Sequence, residues 1–148
     1  MYFVLCIVCC VGDALFITPL GGVISWFAVP YHQYADDTQL YIAVDKATAT
    51  SASTTITACT TAIYEWLLHN CLALNPDKSE SVLLGTATRI GPLRDVVSVN
   101  VAGTPITLSD SIKSLGFVID ENLKFDSHVV QSVRVAFSTF EPCAISAQ

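Results

Sequence analysis

The sequence predicts an α+β domain in which helices cover one face of an antiparallel sheet. The chain has 148 residues, which suits one domain. Short runs rich in aromatic and β-branched residues are joined by tight-turn residues, which favours antiparallel pairing of neighbouring strands. Two longer segments instead repeat their apolar residues in the pattern of amphipathic helices.

The composition suits a buried core better than a nucleic-acid-binding surface. Hydrophobic residues make up 52% of the chain, charged residues only 14%, and the net charge is −6. A domain that binds nucleic acid by itself normally presents many Lys and Arg side chains to the phosphates. The acidic balance therefore argues against duplex binding by this chain alone.

The N-terminal segment is apolar and contains no basic residue before Lys46. It lacks the positive start of a secretory signal. Gly12 and Asp13 interrupt it before it reaches the length of a bilayer span. It is either a buried or disordered segment or a membrane-associated one, and no membrane role is favoured.

The six cysteines are interpreted as reduced core residues of an intracellular protein, cytoplasmic or nuclear. Cys6 and Cys9 form a C-x-x-C pair, which is half of a zinc site. No second such pair follows at the spacing of a zinc finger. Cysteine is also a small hydrophobic residue, and three of the six lie in the aliphatic N-terminal run.

Two adjacent aspartates, Asp36 and Asp37, stand between two strand-like runs in YHQYADDTQLYIAV. A hairpin that turns at this pair would bring both carboxylates to one end of the sheet. Two interpretations are open. Aspartate is a favoured turn residue, and carboxylate oxygens are the ligands that Mg²⁺ prefers.

The segment that follows is rich in Ala, Thr and Ser, but its apolar residues step by three or four. They are Ile56, Cys59, Ile63, Leu67 and Cys71. This spacing predicts a helix from about Ser53 to Asn70, with Ser51 or Ser53 as the N-cap.

The remaining elements are short. In order, they are strands at 72–74 and 81–84 around an Asn-Pro-Asp turn, a hairpin with strands at 96–101 and 104–108, a strand at 111–120, a turn at Asn122 and a helix at 126–140. The last helix has an apolar face formed by Val129, Val130, Val133 and Phe137, and Pro142 ends it.

Four blocks of the sequence resemble the reverse transcriptases of LINE-type (non-LTR) retrotransposons. QYADDTQLY is similar to the Y-A-D-D catalytic hairpin, and FITPLGGVISWFAVPYHQYADD resembles the apolar segment that leads into it. WLLHNCLALNPDKSESVLLGT looks like the helix and strand pair that follow, and SIKSLGFVIDENLKFDSHV looks like the strand that grips the primer end. The blocks stand in the family's order over residues 16–130.

The resemblance implies an RNA-directed DNA polymerase, which adds dNMP units from dNTPs to a DNA primer on an RNA template. It implies that Asp36 and Asp37 are catalytic residues and hold Mg²⁺, with Mn²⁺ as a substitute, and that Asp36 is the more critical. Tyr34 and Ala35 would lie near the primer terminus or the incoming nucleotide.

The resemblance also assigns interpretations to three residues further along the chain. Lys78 would be a general acid toward pyrophosphate, with a solvated lysine in a turn as the alternative. Gly116 would allow close backbone approach in the primer-grip strand, or relieve a bend there. His128 matches a position often occupied by His, and a helix-surface or capping role is favoured over catalysis.

The chain departs from the family in its first 15 residues. Nothing before Phe16 resembles the F-D-x-V block that supplies a third carboxylate, and Asp13 is a candidate only by elimination. The glutamine-glycine element and the fingers are missing as well. We therefore expect an apolar segment unlike the family at 1–15, a partial palm at 16–130, and a C-terminal helix and tail at 131–148 where a thumb would start.

These departures predict a polymerase fragment that is inactive alone. The alternative is a non-enzymatic remnant of a retrotransposon that acts as an interaction module, through an exposed sheet edge and the apolar N-terminus. A third interpretation is a small membrane-associated protein driven by residues 2–30.

Overall fold

A computed structural model describes residues 1–10, 18–35, 37–124 and 126–139, and it has the predicted α+β architecture. The strands are β1 (Tyr2–Cys10), β2 (Tyr31–Tyr34), β3 (Asp37–Ala43), β4 (Ala73–Leu74), β5 (Glu80–Leu84), β6 (Val99–Val101), β7 (Thr104–Ile106), β8 (Leu108–Ser109), β9 (Ser111–Ser114) and β10 (Phe117–Asp120). The α-helices are α1 (Leu20–Trp26), α2 (Ala49–His69), α3 (Ala87–Ile90) and α4 (Asp126–Thr139), and 3-10 helices span Pro76–Lys78 and Gly91–Leu93.

The main sheet has the strand order β2-β3-β1-β5-β8, and β4 also pairs with β1. β1 is antiparallel to both β3 and β5, whereas β8 runs parallel to β5. Along the chain, β1, α1, β2, β3, α2 and β5 follow the split βαββαβ arrangement. The N-terminal strand therefore lies in the middle of the sheet, with the aspartate hairpin beside it.

β1 is buried on both faces, which explains its continuous apolar sequence. Phe3, Leu5 and Ile7 face one side of the sheet, Val4 and Cys6 face the other, and all five are buried. The buried interpretation of the N-terminal segment thus holds for residues 3–7. Within the described ranges, no helix is long and apolar enough to cross a membrane.

Helix α2 covers the first face of the sheet together with α1. Its buried residues recur every three or four positions and include Ile56, Cys59, Ile63 and Leu67. The helix starts earlier than predicted, and neither Ser51 nor Ser53 is its N-cap. The side chain that stabilises this end of the helix is that of Asp45.

Asp45 organises the first turn of α2, although it lies before the helix. Its Oδ1 atom accepts hydrogen bonds from the backbone N–H groups of Ala47 and Thr48, both at 2.8 Å, and from the Thr48 hydroxyl at 2.9 Å. The N-cap residue Thr48 makes no capping bond with its own side chain. These bonds fix the backbone of Ala47 and Thr48 just before the helix, and the negative charge at the positive end of the helix favours a start here.

The other end of α2 is a Schellman motif built without glycine. The backbone N–H groups of Leu72 and Cys71 donate to the carbonyls of Leu67 and Leu68 at 2.9 and 3.1 Å. Cys71 has a φ of +57°, the left-handed conformation that this motif requires. Cys71 was assigned to the apolar stripe of the helix, and that assignment is wrong because its side chain is exposed.

The strands at 72–74 and 81–84 and the hairpin at 96–108 are confirmed, with small shifts in their bounds. The Asn-Pro-Asp turn forms a 3-10 helix, in which Asn75 Oδ1 accepts the N–H of Asp77 at 3.0 Å. The β6–β7 turn places Ala102 and Gly103 at φ values of +52° and +82°. This hairpin packs on α2, where the Thr60 hydroxyl donates to the carbonyl of Asn100 at 2.9 Å.

The single strand predicted at 111–120 is wrong, because this segment folds as the β9–β10 hairpin. Its turn contains Leu115 and Gly116 at φ values of +47° and +84°. Positive φ at both central residues is the geometry of a type I′ turn, which leucine rarely adopts. The hairpin covers the second face of the sheet, where Ile112 joins a small cluster with Val4 and Cys6.

The final helix is confirmed as α4, which follows the β9–β10 hairpin. Its valines Val129, Val130 and Val133, predicted to share a face, are exposed to solvent. Phe140 and Pro142 lie outside the described residues. The apolar face of α4 is therefore an open surface of the described structure.

We expect Leu5→Ala to lower the free energy of unfolding by about 3 kcal/mol, because it leaves a cavity in the centre of the sheet. Leu5 is fully buried in β1, between β3 and β5. Urea denaturation followed by circular dichroism measures the change. The matched control is Trp26→Ala, because Trp26 is 89% exposed. If Trp26→Ala lowered the free energy of unfolding as much as Leu5→Ala does, the loss at Leu5 would not reflect the central position of β1.

Candidate functional site

The hairpin predicted around the aspartate pair is present in the structure. β2 and β3 pair antiparallel, with Tyr34 opposite Asp37, and Ala35 follows β2 in the turn. Ala35 has a φ of +51°, as the first position of a type I′ turn requires. Asp36 lies outside the described residues, and Asp37 is the first residue of β3. The turn thus begins one residue earlier than the aspartate pair.

Asp37 is held between two strands at one end of the sheet. It is opposite Tyr34 of β2 on one side and opposite Val8 of β1 on the other. Side chains alternate along β3. Leu40 belongs to the helix-covered face, and Asp37 shares the second face with Gln39 and Tyr41. The residue is half-buried, whereas Tyr34 at the edge of the sheet is 62% exposed.

A buried thiol separates two carboxylates on this second face. Cys6 of β1 is opposite Gln39 of β3 and opposite Glu80 of β5, and Asp37 lies two residues along β3. Burial, and then the negative charges of Asp37 and Glu80, raise the pKa of Cys6 to about 12. Burial, and then the neighbouring Cys6 and Asp37, raise the pKa of Tyr41. Both groups therefore stay protonated at neutral pH. The charged metal-ligand atoms that the sheet offers on this face are the carboxylate oxygens of Asp37 and Glu80.

Two polar side chains of the sheet fix the β9–β10 hairpin above this face. The Tyr41 hydroxyl donates to Gln39 Oε1, and Gln39 Nε2 donates to the hydroxyl of Ser114 in β9. From β5, Glu80 Oε2 accepts the backbone N–H of Lys113 at 3.1 Å. Two neighbouring residues of β9, Lys113 and Ser114, are therefore hydrogen-bonded to strands on opposite sides of β1.

These contacts also give the direction of the hairpin. Its open end lies at the end of β5, where the N–H of Gly85 donates to the carbonyl of Glu121 at 2.9 Å. Ser114 lies further along the sheet, at Gln39, and the Leu115–Gly116 turn follows it. Asp37 is two residues beyond Gln39 in the same direction. The tip of the hairpin thus points toward the end of the sheet that carries Asp37.

Gly116 lies in this turn and not within a strand as predicted. A Cβ atom added at Gly116 would meet no atom within 4 Å, which excludes close backbone approach inside the described structure. Its φ of +84° is the property that favours glycine.

Lys78 is exposed on the 3-10 helix beside β1. That helix lies between β4 and β5, both of which pair with β1 on the side away from β3. Two strand spacings, about 10 Å, therefore separate it laterally from Asp37. The structure brings Lys78 to the same end of the sheet as Asp37, but across β1 from it.

His128 has a structural role in the junction between α4 and β10. Its Nδ1 atom accepts the backbone N–H of Val118 at 3.4 Å, and its ring lies 4.8 Å from the ring of Phe117. These contacts join the surface of α4 to β10, and they do not cap a helix end.

Asp37 is the described member of the predicted metal-binding pair. Asp36 and Asp13 lie outside the described residues. Among the residues that the structure describes, no group of three or more His, Cys, Asp or Glu is close enough to hold a metal ion. Glu80 shares the face of Asp37, but β1 lies between them and Glu80 binds the backbone of β9.

Gln39, Glu80 and Ser114 were not recognised from the sequence as part of this site. A buried glutamine within an apolar strand is a signal that a polar partner exists. The sequence does not identify this partner, because Ser114 is 75 residues away along the chain.

No protein-family model, curated protein or solved structure matches the chain. The resemblance to reverse transcriptases therefore depends on the four sequence blocks alone and stays a prediction.

We expect Gln39→Leu to loosen the β9–β10 hairpin, because it removes the side chain that links β3 to Ser114. The substitution leaves the Tyr41 hydroxyl and Ser114 without their partner and costs about 1–2 kcal/mol. Hydrogen exchange of the β9 amides measures the loosening, and a double-mutant cycle with Ser114→Ala isolates the pair. Gln131→Leu, on the exposed side of α4, is the control. Equal β9 protection in Gln39→Leu and the native protein would contradict the link.

We expect iodoacetamide at pH 8 to modify Cys71 and spare Cys6 and Cys59. Burial raises the pKa of Cys6 to about 12 and that of Cys59 to about 11, so almost no reactive thiolate forms, whereas Cys71 is exposed. Site-resolved mass spectrometry reads out the labelling, and urea-unfolded protein is the control in which all three react.

The same raised pKa values fix the sign of the alkaline pH dependence. Above pH 9 the unfolded chain loses thiol protons that the folded chain keeps, so stability falls as the pH rises toward about 12. A stability that increases over this range in the native protein, relative to Cys6→Ala, would be inconsistent with a buried thiol.

Proposed function

We propose that the β2–β3 hairpin is the metal-binding hairpin of an RNA-directed DNA polymerase palm. The observation that carries the proposal is the fold of the Y-A-D-D stretch. Tyr34 and Asp37 pair at the end of a β-hairpin, and Asp37 lies next to the central strand of the sheet. The proposed reaction is template-directed transfer of a dNMP unit to a primer 3′-end.

The chemistry of the donors fits Mg²⁺ or Mn²⁺. Asp36 and Asp37 supply hard oxygen ligands, and Cys6 is no competing thiolate ligand because its pKa is about 12. Bound metal ions supply activation of the primer 3′-hydroxyl and stabilisation of the leaving pyrophosphate.

A two-metal site needs a further carboxylate, and we propose Asp13 for that position. β1 ends beside the hairpin, since Val8 is opposite Asp37. Asp13 follows the end of β1 by three residues in the sequence. This proposal gives the N-terminal segment the position of the missing carboxylate strand, in spite of its unusual sequence.

The substrate side of the proposed site is the second face of the sheet. The Gly116 turn points toward Asp37 over that face, which supports Tyr34, Ala35 and Gly116 as residues near the primer end or the nucleotide. Lys78, exposed at the same end of the sheet, is the proposed proton donor to pyrophosphate. With a net charge of −6, the chain needs a basic partner surface to hold template and primer firmly.

An intracellular setting, cytoplasmic or nuclear, is part of the same proposal. Cys6, Cys59 and Cys71 are free thiols, and two of them are buried in the core. Reducing compartments keep such thiols reduced.

A second candidate function is a non-enzymatic interaction module derived from a retrotransposon. It is favoured by the exposed apolar side chains near the C-terminal helix. They are Leu115, Phe117, Leu123, Val129, Val130, Val133 and Val135. Clustered exposed apolar surface of this kind marks protein-binding sites.

Primer extension tests the polymerase proposal. We expect the full chain to extend a DNA primer on an RNA template with Mg²⁺ or Mn²⁺, given a basic protein or peptide that holds the duplex. Asp36→Asn and Asp37→Asn each remove a metal-binding charge and are expected to reduce extension to the level without enzyme.

The matched control is Asp77→Asn, an exposed aspartate near Lys78, and it keeps extension unchanged. Asp13→Asn is expected to behave like Asp36→Asn. Two results would overturn the proposal. The first is primer extension that survives in Asp36→Asn and Asp37→Asn, and the second is a folded native protein that gives no extension under any of these conditions. The second outcome favours the interaction module.

A further inference from the structure

A cavity of about 420 Å³ lies at the opposite end of the sheet from Asp37. It is formed where the turn after β3 meets α3 and the 3-10 helix that follows. Its lining residues are Met1, Val44, Asp45, Lys46, Thr88, Arg89, Pro92 and Leu93. Ligand sites commonly have cavities of about 300–1,000 Å³ with mostly apolar walls and a few polar groups.

The walls of this cavity are apolar and fixed. Val44 and Leu93 are buried in the core, and the N–H of Val44 donates to the carbonyl of Met1 at 2.9 Å. A Cβ atom at Gly85 would come within 2.9 Å of Met1 Cγ, so the absence of a side chain there leaves room for Met1. These contacts fix the position of Met1 beside Val44 in the wall of the cavity.

Two cationic side chains, Lys46 and Arg89, line the same cavity. The chain has seven Lys and Arg residues in all. In the described part of the structure, neither Lys46 nor Arg89 makes an ion pair, whereas Arg94 pairs with both Asp110 and Glu121. Two unpaired cations beside apolar walls favour an anion that has an apolar body.

The one acidic residue of the lining, Asp45, is engaged elsewhere. Its Oδ1 atom accepts three hydrogen bonds from Ala47 and Thr48, and these bonds hold its pKa below the ordinary value. The carboxylate stays charged and is directed at Ala47 and Thr48, so the lining carries two positive charges against one negative charge.

We infer that this cavity binds a small amphiphilic anion. Its carboxylate or phosphate head would contact Lys46 and Arg89, and its apolar body would lie against Val44, Pro92 and Leu93. The inference is independent of the polymerase proposal. β3 runs from Asp37 to Ala43, and this separates the cavity from the aspartates by about 20 Å.

Titrations of the ¹⁵N-labelled full chain, followed by two-dimensional NMR at low salt, test the inference. The probes are octanoate and octyl phosphate, which distinguish a carboxylate from a phosphate head, with octanol as the uncharged comparison. We expect saturable shifts of the amides of Lys46, Thr88, Arg89 and Leu93 with at least one of the two anions, and about tenfold weaker binding of octanol.

Arg89→Gln and Lys46→Gln are each expected to weaken anion binding about tenfold, because each removes one charge-assisted hydrogen bond. Both side chains are exposed, so these variants keep the fold. Lys124→Gln, an exposed lysine away from the cavity, is the matched control and leaves the affinity unchanged. Three results would overturn the inference: octanol binding as tightly as the anions, shifts centred on other residues, or no saturable binding of either anion.

Discussion

The pairing of Tyr2–Cys10 along both of its edges is the constraint on which the rest of the structure depends. One edge holds the aspartate hairpin and the other holds β5, so the relative position of these two elements is set through β1. Its two faces anchor the helices on one side and the β9–β10 hairpin on the other. A shift of register by one residue would exchange the two faces of β1 and disrupt both clusters at once.

The two faces of the sheet are stabilised by different kinds of interaction. The helix-covered face is a large apolar cluster that runs from Phe3 to Val101. The second face has a small apolar cluster. The position of the β9–β10 hairpin on it depends on two hydrogen bonds, one that Gln39 donates and one that Glu80 accepts. Polar bonds are directional, so they fix where the β9–β10 hairpin points, which apolar contact alone does not do. The orientation of the Gly116 turn toward Asp37 follows from this difference.

Local patterns predicted much of this fold, and interactions between distant residues account for what was missed. The periodicity of α2 and the turn residues around Ala102–Gly103 are local, and both elements form where expected. The β9–β10 turn was missed because Leu115 adopts a positive φ that its side chain disfavours. The start of α2 was predicted too late because Asp45, the carboxylate that stabilises this end of the helix, lies three residues before Thr48. At the candidate site, the motif predicted the hairpin, whereas the link from Gln39 to Ser114 exists only in three dimensions.

The central position of β1 has a consequence for synthesis of the chain. β1 is made before β3 and β5, and both of its edges are unpaired until those strands have been translated. It is a nine-residue run without charge or proline, the type of segment that forms intermolecular β-structure when its edges are open. Translation proceeds at about 5–20 residues per second, so this exposure lasts for seconds. The nascent chain therefore exposes an aggregation-prone strand until β3 and β5 have emerged to pair with it.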